Sequence, residues 1–288
     1  MSVVLNQSEF RARQLGDALP PLVVRAERIA ASVLQGSHGL RRAGVGETFW
    51  AYRPYAFGDS TQRIDWRKSA KSDAPFIKDN EWQSANTLWL WVNLGPRMKF
   101  KSHLAPESKV QQGQVIGLAM AALALRAHER VGLLGSESRA SFGRDVLSRL
   151  AATTAGGNNG ILPVPTNLQR RSSALIISDF LDEPEELRKT LNQIAESGMR
   201  GHLLQVTDPA EESLPYSGRM DFLGLDVKTR FKAGKAQNLR DDYVTAFQTQ
   251  RMEVANMARK LGFSFQVHHT DKSISATVLH LYQRLGAK

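Results

Sequence analysis

Apolar residues along this chain fall into two kinds of stretch. Short runs that predict strands occupy residues 87–93, 131–134, 174–178, 201–206 and 263–267. The run at 87–93 is continuously apolar, as expected of a strand buried on both faces of a sheet. Longer stretches between them have helical character, at residues 109–129, 144–152, 185–196, 238–261 and 275–285. This alternation predicts an α/β domain with an open, mostly parallel sheet flanked by helices.

Two regions lie outside this alternation. Residues 22–33 carry apolar side chains at helical period and are followed by Gly36, a residue that commonly ends a helix. Residues 216–231 alternate in part between apolar and polar side chains, which favours a β-hairpin. We therefore predict an N-terminal helix and loop over residues 1–84 that pack on the core, and an α/β domain over residues 85–288 with an insertion near 213–236.

Residues 46–73, GETFWAYRPYAFGDSTQRIDWRKSAKSD, form a loop rich in aromatic and basic side chains, followed by a short strand candidate at 75–78. Arginines set among aromatic residues can stack on bases and pair with phosphates, so the loop is a candidate surface for nucleic acid or a protein partner. Alternatively, Gly58 and Asp59 form a turn, and Asp65 and Arg67 fix the loop through internal ion pairs. Both interpretations stay open at this point.

Composition limits the function classes. The 288 residues carry a formal net charge of +10, which favours an acidic partner, although a solvated surface explains it equally well. The absence of cysteine excludes disulfides, zinc–cysteine sites and a cysteine nucleophile. The first residues lack the pattern of a signal peptide, and the longest apolar run, 115–125, is too short to span a bilayer. We therefore expect a cytoplasmic protein without membrane insertion.

Candidate site residues follow from the sheet, because ligands of parallel α/β sheets bind beyond the carboxyl ends of the strands. Polar or flexible residues that follow the predicted strands are Asn93, Gly95, Arg97, Asp179, Asp208 and Asp271. The glycine-rich loop at 156–159, which includes Asn158, can reach the same edge.

Signals for catalysis are weak. The sequence contains neither a Gly-x-Ser-x-Gly elbow nor a P-loop. His268 and His269 are adjacent on a strand and point to opposite faces, so they are poor joint metal ligands. Acidic pairs such as Asp182-Glu183 lie at predicted helix starts, where their negative charge interacts favourably with the helix dipole. No enzyme activity, catalytic residue or cofactor is predicted.

One resemblance covers residues 22–285. The aromatic–basic loop, together with LIISDFLDEPEEL (175–187) and LLQVTDPAEESLPYSG (203–218), resembles the bacterial family named domain of unknown function 58. The loop residues that carry this signature are Glu47, Arg53, Tyr55, Gly58, Asp59, Asp65, Trp66 and Arg67. The resemblance implies a von Willebrand factor A-like domain, an open sheet of Rossmann type, without catalytic activity. It also implies association with a MoxR-type AAA+ ATPase.

Such domains commonly hold a divalent metal through Asp-x-Ser-x-Ser after the first strand, a Thr from a second loop and an Asp after a later strand. Here the first motif reads Asn93-Leu94-Gly95-Pro96-Arg97, and the second loop offers Asn158 and Asn159. Of the implied ligands only Asp179 keeps a carboxylate. Because a guanidinium repels hard cations, the sequence predicts a degenerate site without metal.

Two hypotheses follow for Arg97. In the first it occupies the position that the metal ion would take and forms a bidentate ion pair with Asp179. In the second it points to solvent. For the whole protein we expect a non-enzymatic adaptor of a MoxR-type AAA+ ATPase. The alternatives are a nucleic-acid-binding module that uses the basic aromatic surface, and a metal-dependent binding domain.

Overall fold

The computed structural model describes residues 21–36, 49–56, 64–70, 75–80, 86–136, 139–143, 145–156, 161–162, 172–223 and 230–286. The chain forms two compact units. The small unit comprises Arg41–Ala85, and the α/β unit comprises Met1–Leu40 together with Asn86–Lys288.

The secondary structure begins with helix α1, residues 21–36. The strands are β1 (Phe49–Pro54), β2 (Phe76–Asn80), β3 (Thr87–Val92), β4 (Arg130–Leu133), β5 (Ser172–Ser178), β6 (Arg200–Thr207), β7 (Met220–Leu223), β8 (Arg230–Ala233) and β9 (Ser264–His269). The further helices are α2 (Trp66–Ser69), α3 (Lys109–Arg126), α4 (Val146–Ala155), α5 (Pro184–Glu196), α6 (Pro209–Ser213), α7 (Arg240–Lys260) and α8 (Ile274–Gly286). Two 3₁₀ turns, Pro96–Lys99 and Ala236–Leu239, complete the described elements.

The α/β unit is built on a five-stranded sheet in the order β4-β3-β5-β6-β9. Every neighbouring pair in it is parallel, so the predicted mostly parallel sheet is confirmed. Counted along the chain, the five strands lie in the order 2-1-3-4-5, a common doubly wound arrangement. The chain changes direction across the sheet between β3 and β5, and this switch point is where ligands of such sheets bind.

Both faces of the sheet are covered, which explains why the central strands β3 and β5 are apolar along most of their length. Leu88, Leu90 and Val92 of β3 pack into one cluster with residues of α1, α3, α4 and α8. Trp89 and Trp91 of the same strand pack on the opposite face with residues of α5 and α7. A strand placed between two helical layers has no polar face, and its sequence therefore loses the alternation of a half-exposed strand.

Helix α3 lies directly on the sheet. Gly113 and Gly117 face it, and a Cβ added there would lie 3.3 Å from Ile177 and 3.2 Å from Val92, respectively. A capping box between Ser108 and Gln111 begins the helix. Close packing of α3 brings its first residue to the carboxyl ends of β3 and β5.

Neither α3 nor any other described helix is long and apolar enough to cross a membrane.

Helix α1 belongs to the α/β unit, whereas the sequence analysis grouped it with the loop that follows. Its buried residues Ala26, Ala30 and Val33 are part of the cluster under α3 and α8. Arg25 forms a two-bonded ion pair with Glu107, one bond measuring 2.9 Å between Nη2 and Oε2. An amphipathic helix needs an apolar surface to cover, and here the core of the α/β unit provides it.

The small unit contains an antiparallel pair of strands, β1 and β2, and the single turn of helix α2. The sequence predicted β2 but assigned residues 49–54 to a loop, which was wrong. The aromatic residues weighed as a binding surface also have high strand propensity. Asp65 caps α2 by accepting from the Lys68 backbone N–H at 3.0 Å, and the Ser69 hydroxyl accepts from Phe76 N at 2.8 Å.

A hairpin of β7 and β8 follows α6, in the region where the sequence predicted an insertion. Its antiparallel pairs run from Met220 opposite Ala233 to Leu223 opposite Arg230. The hairpin places Phe222 opposite Phe231. It thereby carries two aromatic rings on an element that does not belong to the main sheet.

Replacing Gly201 with Ala should destabilise the α/β unit. A Cβ at this position in β6 would lie 2.3 Å from the ring of Phe263, which is itself buried. We expect a loss of roughly 1–3 kcal/mol in the free energy of unfolding, measured by urea denaturation, because the ring has to move out of a packed core. Gly234→Ala is the control, since its Cβ meets nothing within 4 Å. Equal effects of both substitutions would contradict the packing argument.

Candidate functional site

The carboxyl ends of β3, β5 and β6 lie side by side at the switch point of the sheet. Asn93, Asp179 and Asp208 directly follow these three strands, and all three side chains are buried. The sequence predicted each of them as a site residue. Their hydrogen bonds show that they have different roles.

Asn93 fixes the exit of β3. Its Nδ2 donates to Ser178 Oγ at 2.9 Å, and its Oδ1 accepts from the Gly95 backbone N–H at 2.8 Å. A carboxylate could not make the first bond as a donor, so the amide suits this position. Gly95 then begins the 3₁₀ turn that carries Arg97.

The carboxylate of Asp208 binds backbone N–H groups of the protein. Its Oδ2 accepts from Ser102 N and its Oδ1 accepts from Ala210 N, both at 2.9 Å. Its own N–H donates to Glu211 Oε2 at 3.0 Å, which completes a capping box at the start of α6. The buried carboxylate is thus satisfied by backbone N–H groups on both sides.

Lys109 supplies the cation at the centre of this edge. It is the first residue of α3, it is 0% exposed, and its Nζ lies 3.3 Å from Asp179 Oδ2. The same Nζ lies 2.5 Å from Glu211 Oε1. Positive charge is disfavoured at the start of a helix, so the two carboxylates have to outweigh the helix dipole. Sequence reasoning missed Lys109. Its signal was a lysine at a helix start where an acidic residue is usual.

Arg97 binds the loop after β5. Its Nη1 donates to the Leu181 carbonyl at 2.8 Å, and its Nη2 pairs with Asp182. Only its Nε approaches Asp179, at 3.7 Å from Oδ2. The expected two-bonded pair with Asp179 is therefore not what the structure has, and the solvent-facing alternative does not describe Arg97 either. The nearer cation to Asp179 is Lys109.

We define the edge cluster as six charged residues at the carboxyl ends of these strands: Lys109, Arg97, Asp179, Asp182, Asp208 and Glu211. Two cations face four carboxylates, so the cluster has a formal charge of −2, whereas the chain as a whole carries +10. Burial raises the pKa of Glu211, against the lowering effect of Lys109. Burial also raises the pKa of Asp182, against the lowering effect of Arg97.

Next to the edge cluster lies a cavity of about 440 Å³, which we call the aromatic pocket. It is lined by Glu211 and by apolar or aromatic side chains that include Phe100, Tyr216, Phe222, Phe231 and Tyr243. These residues come from the segment after the first 3₁₀ turn, from α6 and the loop that follows it, from the hairpin, and from the start of α7. Because they are far apart in the sequence, no local motif indicated the pocket.

A second polar network connects the edge to α7. Gln205 donates from Nε2 to the Asp179 carbonyl at 2.9 Å and accepts from Arg251 Nε at 2.8 Å. Arg251 also pairs with Glu212, whose Oε2 lies 3.3 Å from His269 Nδ1. The network ties the carboxyl ends of β5, β6 and β9 to one helix.

His268 and His269 face opposite sides of β9, as the sequence predicted. Gln112 donates to the Thr270 carbonyl at 2.7 Å, so its Oε1 accepts from His268 Nε2 at 2.6 Å. His268 Nδ1 then accepts from the Thr277 hydroxyl at 2.7 Å. The surroundings of His268 therefore suit a neutral ring.

The predicted signature residues belong to the small unit. Glu47, Gly58 and Asp59 lie outside the described residues, as does Asn158 of the glycine-rich loop. The backbone of Arg53 is part of β1, and Tyr55 N donates to Pro75 O at 2.8 Å. Asp65 caps α2, while Trp66 and Arg67 are exposed.

The family described as "Protein of unknown function DUF58" matches residues 51–253, more than two thirds of the chain. The chain belongs to the DUF58 family. This confirms the family that the sequence resemblance indicated. Similar proteins, each described as an uncharacterized protein, occur in Mycobacterium tuberculosis (strain ATCC 25618 / H37Rv) and in Mycobacterium bovis. Each is 26% identical over 297 aligned residues, covering 95% of this chain and 91% of the relative.

Two solved structures are similar to this DUF58 protein. One is the conserved hypothetical protein BatB from Bacteroides thetaiotaomicron, with 12% identity and a TM-score of 0.38. The other is an aerotolerance-related membrane protein from Bacteroides fragilis with multiple mutations to serines, with 11% identity and a TM-score of 0.40. Each match covers 70% of this chain and 98% of the other. With scores this low, the family match remains the finding that identifies the chain.

In this DUF58 protein, replacing Lys109 with Met should be strongly destabilising. The substitution leaves Asp179 and Glu211 buried without their cation, and we expect a loss of roughly 3–5 kcal/mol at neutral pH in urea denaturation. The loss should shrink at acid pH, because protonation of Glu211 removes uncompensated negative charge. Lys101→Met, at an exposed position, is the control. A loss no larger than that of the control would contradict the role of Lys109.

The stability of the protein should fall as the pH is lowered from about 6.5 to about 4. Burial and the charge of His269 lower the pKa of His268 from 6.5 to about 4, although Asp271 opposes this shift. In that range the unfolded chain binds a proton that the folded His268 does not, which costs stability towards acid pH. His268→Gln should reduce the pH-dependent loss by about 3 kcal/mol in denaturation at several pH values. His280→Gln, at an exposed position, should leave the profile unchanged.

Proposed function

We propose that this DUF58 protein is a non-enzymatic interaction domain that acts as an adaptor for a MoxR-type AAA+ ATPase. The observation that carries the proposal is the buried Lys109 ammonium between Asp179 and Glu211. The carboxylates at the strand edge are engaged with protein cations and backbone N–H groups. The accessible surface beside them is the Arg97–Asp182 pair and the aromatic pocket. Such a surface suits the side chains of a protein partner.

The finer fold assignment, a von Willebrand factor A-like domain, is part of this proposal. It is supported by the parallel sheet with helices on both faces, and by the arrangement of the Asn93–Arg97 exit next to Asp179. In such a domain the partner binds at the carboxyl edge of the sheet, where the edge cluster lies. The ATPase partner itself rests on the family resemblance, and a cytoplasmic location stays a prediction.

A degenerate metal site is the second part of the proposal. Asp179 and Glu211 already share an ammonium ion, and both polar atoms of the Asn93 amide are engaged. A hard divalent cation at this position would meet the positive charges of Lys109 and Arg97. The metal-dependent alternative therefore requires Lys109 to leave its position.

Millimolar Mg²⁺ or Mn²⁺ should leave the thermal unfolding temperature of the wild-type protein unchanged. A ligand that binds the folded state raises this temperature with the logarithm of its concentration once that exceeds Kd, so a concentration series in scanning calorimetry measures it. Ca²⁺ and Na⁺ at matched ionic strength control for screening. A rise that continues with the logarithm of the Mg²⁺ or Mn²⁺ concentration, and that these two ions alone produce, would favour the metal-dependent domain.

Nucleic-acid binding by the small unit is the second candidate function. Trp66 is 68% exposed and is followed by the exposed residues Arg67 and Lys68. An exposed aromatic ring beside basic side chains is suited to stacking on bases and pairing with phosphates. Affinity for single-stranded RNA or DNA that falls steeply with salt, and is lost in Trp66→Ala, would favour this function over the adaptor.

The adaptor proposal is tested with the purified full chain and the MoxR-type ATPase of its own source organism. We expect saturable binding in biolayer interferometry that depends weakly on salt. Arg97→Ala should weaken it about tenfold, because it removes a charged group from the proposed contact. Arg259→Ala is the control, because Arg259 is exposed and lies in the last turn of α7, at the end of the helix away from the aromatic pocket.

The circular dichroism spectra of both variants show whether the fold is kept. Undetectable ATPase binding by the folded wild-type chain, or equal binding by both variants, would overturn the proposed contact.

A further inference from the structure

The aromatic pocket is lined by rings that do not belong to the two hydrophobic core clusters. The rings of Tyr216 and Phe222 meet edge to face, with centroids 6.2 Å apart, and Phe222 lies 6.4 Å from Phe231. Phe231 is 54% exposed and Phe100 is 37% exposed. Large aromatic side chains that stay accessible around a cavity point to a binding function, because burial in the core would stabilise the fold more.

The charged groups at the pocket are the Glu211 carboxylate, which lines it, and the Arg240 guanidinium, which donates to the carbonyls of the lining residues Leu214 and Tyr216. Glu211 lines the pocket and belongs to the edge cluster, whose formal charge is −2. Burial raises the pKa of Tyr216, and the charges of Asp208 and Glu211 raise it further. Burial also raises the pKa of Tyr243 to about 12, again with a contribution from Glu211. Glu211 is therefore the charged side chain that an occupant of this ring-lined pocket would meet.

The aromatic rings and the Glu211 carboxylate together favour one chemical class of ligand for the pocket. An anionic group would meet the carboxylate of Glu211, and a neutral apolar group would make no hydrogen bond to that carboxylate. A cation with an apolar stem satisfies both features, since aromatic faces attract cations and the stem packs against the rings. Glu211 has capacity for it, because a carboxylate accepts up to about four hydrogen bonds and its oxygens are engaged here by Lys109 and Asp208 N.

We propose that the aromatic pocket binds a basic side chain, arginine or lysine, of a protein partner. The charged head lies towards Glu211, and the stem packs against the accessible faces of the rings that line the pocket. The inference rests on the proposed function, since it names the partner chemistry at the same edge of the sheet.

The test uses three acetylated and amidated tripeptides, Gly-X-Gly, in which X is arginine, citrulline or glutamate. Citrulline keeps the shape of arginine without its charge. In amide-resolved NMR titrations of the full chain we expect saturable shifts around Tyr216 and Phe231 with the arginine peptide. The citrulline peptide should bind about tenfold more weakly, as expected when a cation–aromatic and carboxylate contact is lost. Equal binding of the two, or tighter binding of the glutamate peptide, would overturn the proposal.

Two variants localise the binding. Phe231→Leu changes an exposed ring on the hairpin and should weaken the arginine peptide about threefold to tenfold, without an effect on the fold. Phe142→Leu is the matched control, because this ring is 66% exposed but does not line the pocket. An equal effect of both variants, or of neither, would overturn the assignment to this pocket.

The same variants separate this inference from the adaptor proposal. If Phe231→Leu loses the arginine peptide but binds the ATPase like the wild type, the adaptor function stands and the pocket is not its contact. If the arginine peptide binds in the pocket and the ATPase does not bind the chain at all, the adaptor function fails while the chemistry of the pocket stands.

Discussion

An ammonium ion removed from water has to be compensated by nearby negative charge, and this requirement organises the carboxyl edge of the sheet. Lys109 reaches its buried position because α3 packs closely on β3 and β5. Asp179 and Glu211 meet it from the end of β5 and from α6. The loops that carry these carboxylates are held by further bonds, from Asn93 on one side and Asp208 on the other. Packing and charge therefore determine the same edge together.

The parts of the fold that the sequence predicted are those with strong local signals. The strands beginning at Thr87 and Ser172 were clear because residues covered on both faces are apolar without interruption. The first strand of the small unit was not recognised, since its aromatic residues suit a binding loop as well as a strand. The sequence grouped α1 with the loop that follows it, because periodicity indicates an apolar face but not the unit to which a helix belongs.

The candidate site was predictable only where it follows from topology. Asn93, Asp179 and Asp208 were found because strand ends of a parallel sheet share one edge. Lys109 was not, since its partners lie 70 and 102 positions away in the sequence, and lysine at a helix start usually faces solvent. The two terminal nitrogens of the Arg97 guanidinium bind the Leu181 carbonyl and Asp182 instead of Asp179. The geometry of the loop determines these partners, and residue types alone do not reveal it.

The α/β unit is discontinuous in sequence, since Arg41–Ala85 lies between its first helix and its first strand. Before the core can form, the ends of this inserted segment have to be brought together, at a cost in chain entropy. That cost grows only with the logarithm of loop length, so that doubling the segment adds about 0.6 kcal/mol. A longer or rebuilt inserted segment would therefore leave the stability of the α/β unit nearly the same.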